Sequence, residues 1–118
     1  MKSLKKDQII TPQNLGTKAL TYTTSLPSKD FKLEQVILKA SQAISETITI
    51  TLIDISNQDT NVYDVVLQEV VLVAETDFVY RPQGQANFKA GDQIKVECTD
   101  TGGIGTVTGK VKTSEVAY

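Results

Sequence analysis

Histidine and tryptophan are absent from these 118 residues, and cysteine occurs once. Without histidine the chain lacks the commonest general base and the commonest zinc ligand. A lone cysteine, Cys98, excludes an intrachain disulfide, and no histidine exists to activate it as a nucleophile. Only three prolines occur, and two of them, Pro12 and Pro27, fall near the start of the chain. Neither sign of charge is in excess: 12 Lys and Arg face 14 Asp and Glu, a formal net charge of -2. No global field therefore recruits DNA, RNA or anionic lipid, and neither nucleic acid nor membrane is expected as a partner. No apolar run nears the length of about 20 residues that spans a bilayer as a helix. The opening MKSLKKDQIITPQNLG turns polar at Asp7 and Gln8 before any apolar signal region forms. The expectation is a product that stays where it is made, with its cysteine reduced.

What is present is alternation. In SETITITLIDIS, Ile48, Ile50 and Leu52 point one way and Thr47, Thr49 and Thr51 the other, which is the period of a half-buried strand. DQIKVECT repeats it with Ile94, Val96 and Cys98, and TVTGKVKTSEV supplies Val107 and Val111. In FKLEQVILKAS, Phe31 and Leu33 share a face that Val36, Leu38 and Ala40 regain only if one extra residue is inserted near Glu34–Gln35, so a β-bulge is expected there. Turn-formers separate these runs at residues 56–59, 82–84, 90–92 and 100–105. β-Branched residues dominate the runs, and no apolar stripe of helical spacing persists. The pattern predicts an all-β, antiparallel β-sandwich, jelly-roll-like, of a size to form one core. The expected core comprises Phe31, Leu33, Val36, Leu38, Ile48, Ile50, Leu52, Val65, Leu67, Phe78, Ile94, Val96 and Val107.

Residues 1–28 lack a sustained period and are expected as an extended N-terminal arm that leads into a first strand, with the sandwich domain spanning residues 29–118. Leu4, Ile9, Ile10 and Leu15 are the expected contacts of this arm with a neighbouring subunit or other protein partner, because they have no evident core to join. Lys2, Lys5 and Lys6 would steer it toward acidic surface.

No constellation for catalysis emerges. Gly102, Gly103 and Gly105 lie between two strands rather than between a strand and a helix N-terminus, so they read as a hairpin turn and not a phosphate cradle. Glu69, Glu75 and Asp77 flank a strand junction without the spacing of a calcium loop, and read as solvated turn residues. Cys98 continues an inward series and reads as a small buried hydrophobe. Tyr22, Tyr63, Tyr80 and Tyr118 with Phe31, Phe78 and Phe88 are the candidates for a sugar-stacking platform, although several fit core positions. No cofactor and no enzymatic activity are expected.

The succession FKLEQVILKASQAISETITITLID, VYDVVLQEVVLVAETDFVYRP and FKAGDQIKVECTDTGGIGTVTGKV resembles small β-sandwich structural proteins of tailed-phage virions. The likeness rests on a Phe-x-Leu strand, a TD-x-x-Y edge and a late x-AGD-x-I-x-V turn and strand, and runs from Phe31 to Val111. It implies a capsid decoration or cement protein on the virion surface, assembled in the host cytoplasm, that binds the major capsid protein or another virion protein and forms a homo-oligomer, a trimer first. A tail or head-fibre component and a carbohydrate-binding β-sandwich module are the alternatives.

Overall fold

Residues 47–53 form a strand because their threonines and isoleucines alternate: Ile48 and Ile50 are fully buried, and Thr47 and Thr49 face outward. The computed structural model describes residues 2–15, 19–24, 29–53, 65–82, 87–101 and 105–117. Within them the chain forms nine strands and no helix: β1 (Lys2–Asn14), β2 (Leu20–Thr23), β3 (Phe31–Ile44), β4 (Thr47–Ile53), β5 (Val65–Val71), β6 (Glu75–Tyr80), β7 (Asn87–Phe88), β8 (Gln93–Cys98) and β9 (Thr106–Ala117).

One sheet has the order β1-β9-β3-β6, with the two-residue β7 also beside β3; the other has the order β2-β8-β4-β5. All ladders are antiparallel. With β7 set aside, β1 pairs with β9, β2 with β8, β3 with β6 and β4 with β5, so the first strand meets the last and the pairing closes inward to the middle of the chain. This is one long hairpin wound over itself into two packed sheets, a jelly roll. The expected all-β sandwich is therefore the fold.

Inward side chains of the two sheets meet in one cluster that includes Ile10, Leu33, Val36, Ile48, Ile50, Ile94, Val96, Val107 and Val111. Leu52 and Leu67 are only half-buried, and Val65 is half exposed. The reason is a bulge: Ile50 stands opposite Gln68 but Thr51 opposite Val66, so Leu67 is an extra residue and the simple alternation through residues 65–68 is lost. Tyr63 lies outside the described residues. On β3 the expected bulge is present, since Leu33 pairs with Thr113 and Gln35 with Lys112, leaving Glu34 as the insertion.

Two turns have clear causes. In the AGD turn, the Asp92 amide donates to the Lys89 carbonyl at 3.1 Å and its carboxylate accepts from the Lys89 amide at 3.2 Å. Gly91 sits between them at φ 91°, where a Cβ is disfavoured. The glycine-rich connection, by contrast, is not a hairpin. β8 belongs to one sheet and β9 to the other, so the chain changes sheet between Cys98 and Thr106; Gly102 and Gly103 lie outside the described residues. Gly105 fits there because it has φ 92° and a Cβ would press on the Ser41 hydroxyl at 2.6 Å.

Candidate functional site

The segment expected as an arm is built into the sandwich. β1 runs beside β9 from Lys2 opposite Ala117 to Asn14 opposite Thr106, with a register shift between Ile10 and Gln13. Ile10 is fully buried and Leu15 nearly so, its amide donating to the Gly105 carbonyl at 2.9 Å. Ile10 and Leu15 thus have a core of their own and are not free to anchor a partner. Ile9 points the other way and is 63% exposed, and the Leu4 backbone pairs opposite Glu115. Of the expected contacts, Ile9 is the apolar side chain that the described structure leaves in the open.

Most of the other exposed apolar side chains gather at one margin. Val65, Val66 and Val71 of β5, Val73 in the following turn and Val79 of β6 are all about half exposed or more. Val71 stands opposite Thr47 and Glu69 opposite Thr49 on the outer face, whereas Val66, itself exposed, stands opposite Thr51, which is buried rather than outward as the alternation led one to expect. Val73, 72% exposed, projects from a turn that is held firmly. Leu72 donates its amide to the Glu46 carbonyl at 2.9 Å, and Ala74, at φ 50°, donates its amide to the Ser45 hydroxyl at 3.0 Å. Farther along β5 and β6, away from this turn, the margins of the two sheets part into an open cleft of about 380 Å³ lined by Leu67, Gln68, Val79, Tyr80 and Arg81.

No local pattern in the sequence marks the role of Glu46. It sits at the β3–β4 corner with its side chain buried, and accepts from the Thr99 hydroxyl at 2.8 Å, the Thr101 hydroxyl at 2.9 Å and the Thr101 amide at 3.0 Å. Burial and the like charge of Asp100 push its carboxyl up, but these hydrogen bonds prevail and hold it below the usual range. Burial, with Glu46 and Asp100 nearby, raises the Cys98 thiol to about 11, so it stays protonated and inert at neutral pH. Glu69, Glu75 and Asp77 are all exposed, and among the described residues no three His, Cys, Asp or Glu side chains converge as metal ligands. None of the described aromatic side chains is exposed. Phe31 and Phe88 pack tilted at 5.6 Å, Phe78 is buried, Tyr22 donates to Gln8 Oε1 at 3.4 Å, and Tyr80 is half-buried. Tyr118 lies outside the described residues.

No family model matches the chain, and no curated protein does. Among solved structures it is similar to a chain of the infectious bursal disease virus Gx strain structure, at 10% identity and a TM-score of 0.38. That match covers 98% of this chain and 42% of the other.

Proposed function

We propose that this protein is a non-enzymatic structural component of a virion, a capsid decoration or cement protein seated on the lattice of the major capsid protein. The observation that carries the reading is the valine margin: Val66, Val71 and Val73 stand in water on a rigid frame while the described aromatics are turned inward. Apolar side chains gathered on such a frame fit a flat protein surface better than a sugar or a small substrate. The resemblance to tailed-phage sandwich proteins supports the reading, and the jelly-roll winding is compatible with it. A tail or head-fibre position would use the same frame, whereas a sugar-binding module needs rings in the open to stack on pyranose faces.

On this reading the capsid contact moves from the N-terminal segment to the β5–β6 margin, with Ile9 as a separate apolar point on β1. The test is mass spectrometry of particles purified from the source of the chain. The protein should appear in stoichiometric proportion to the major capsid protein, in heads separated from tails. Its absence from washed particles would overturn the reading, and its presence in tails alone would transfer it to a fibre.

A further inference from the structure

The two margins of the β1-β9-β3-β6 sheet match each other. Ile10 stands opposite Gly109, Gly109 opposite Leu38 and Leu38 opposite Phe78, so one transverse row crosses the whole sheet. The Thr108 hydroxyl donates to the Ile10 carbonyl at 2.8 Å, which turns that carbonyl toward β9. In an antiparallel sheet, successive residues direct their backbone groups to opposite neighbours. Ile10 then faces β9, and Asp7 and Ile9 present their backbone groups to the open side of β1. Carried along the row, the same alternation turns Phe78 toward β3 and leaves Asp77 and Val79 presenting theirs to the open side of β6, with Arg81 just beyond its end. Among the described residues no strand covers either open side.

We infer that copies of this chain associate head to tail through these margins, β6 of one copy pairing antiparallel with β1 of the next. The register that places Val79 opposite Ile9 has several supports at once. It continues the transverse row by setting Phe78 opposite the next copy's Ile10, and it brings outward backbone groups opposite outward backbone groups. Val79 and Ile9, both exposed, cover each other. Arg81 falls opposite Asp7, and Tyr80 opposite Gln8, the residue to which Tyr22 already donates. Shifting by two residues in one direction puts Asp77 against Ile9 and Val79 against Asp7; the other direction leaves Arg81 against Ile9. The register shift that follows Ile10 on β1 and the end of β6 at Tyr80 bound the paired stretch, which centres on Ile9 against Val79.

The charge pair serves register more than affinity, because Asp7 already lies 3.7 Å from Lys110 within its own chain. β5 is less suited to such pairing, since its bulge at Leu67 breaks the alternation that a neighbouring strand would need. The interface is heterologous: each copy offers one margin and receives another, so assembly closes as a ring or grows as a filament. It does not depend on the particle to which the protein belongs.

The experiment measures the mass of the full chain in solution by light scattering during gel filtration, for the wild type, Ile9→Lys, Val79→Lys and an equimolar mixture of the two variants. Both positions are solvent-facing, and melting temperatures verify folding; if either variant melts early, Ile9→Thr and Val79→Thr replace the pair. The wild type should exceed the monomer mass and each variant should run as a monomer. The mixture should give a species of twice the monomer mass and nothing larger, because each variant keeps one intact margin and only those two can meet. A wild type that is monomeric at every concentration, variants that assemble like the wild type, or a mixture that stays monomeric would each overturn the inference.

Discussion

Glu46 and Thr101 are joined twice, the Thr101 amide at 3.0 Å and its hydroxyl at 2.9 Å both donating to one carboxylate. The pair ties the β3–β4 corner to the chain leaving β8, two places where the polypeptide crosses between the sheets. Replacing Glu46 with Ala leaves the Thr99 and Thr101 donors without their acceptor and should cost about 1.5–3 kcal/mol, the range for hydrogen bonds to a charged group. Denaturant unfolding of the variant measures it.

The same residue sets a pH dependence. Its folded-state pKa is depressed, so its contribution is present above the unfolded carboxylate value of about 4.3 and is lost as pH falls through the lower folded value. The difference in melting temperature between wild type and Glu46→Gln should be constant near neutral pH and shrink on acidification below about pH 4. A difference that persists unchanged to strong acid would assign the effect to packing.

Gly109 is held by close approach. A Cβ there would collide with the Ile37 carbonyl oxygen across the β9–β3 ladder. The obstacle is backbone in the middle of a sheet, which cannot swing aside. Gly109→Ala should therefore destabilise by about 3 kcal/mol, at the upper end of overpacking penalties. Chemical denaturation giving less than about 1 kcal/mol would show that the sheet yields there.

Ile9 and Ile10 should separate cleanly. Ile10→Ala empties a fully buried site and should cost about 2–5 kcal/mol, as should Ile50→Ala, while Ile9→Ala should stay within about 0.5 kcal/mol. Deleting residues 1–16 removes β1 together with two core side chains, and the remainder should fail to give a cooperative melt. A truncated protein that melts like the full chain would restore the picture of a detachable arm.

The alternating strands were legible in the sequence because each carries its own record of burial. Ile48, Ile50, Ile94 and Val96 are inward where the period puts them, and Glu34 is the insertion that the phase change at Leu33–Val36 required. β1 was not legible. It is the margin of its sheet, one side of it is open, and its lysines hide a single inward isoleucine whose partner, Gly109, lies at the far end of the chain. Val65, expected in the core, is half exposed for a related reason. The bulge at Leu67 shifts the phase within a run of valines, and valine is equally at home inside and outside a strand. Glu46 left no local trace because its partners are 53 and 55 residues away.

The most direct test of the proposed role is co-sedimentation with empty capsids from the source of the chain. It compares the full protein with a variant carrying Val66→Asp, Val71→Asp and Val73→Asp, three exposed positions whose change should leave the melting temperature nearly unaltered. The wild type should pellet saturably with capsids and the folded variant should remain in the supernatant. Equal pelleting of both, or no pelleting of the wild type, would contradict that role.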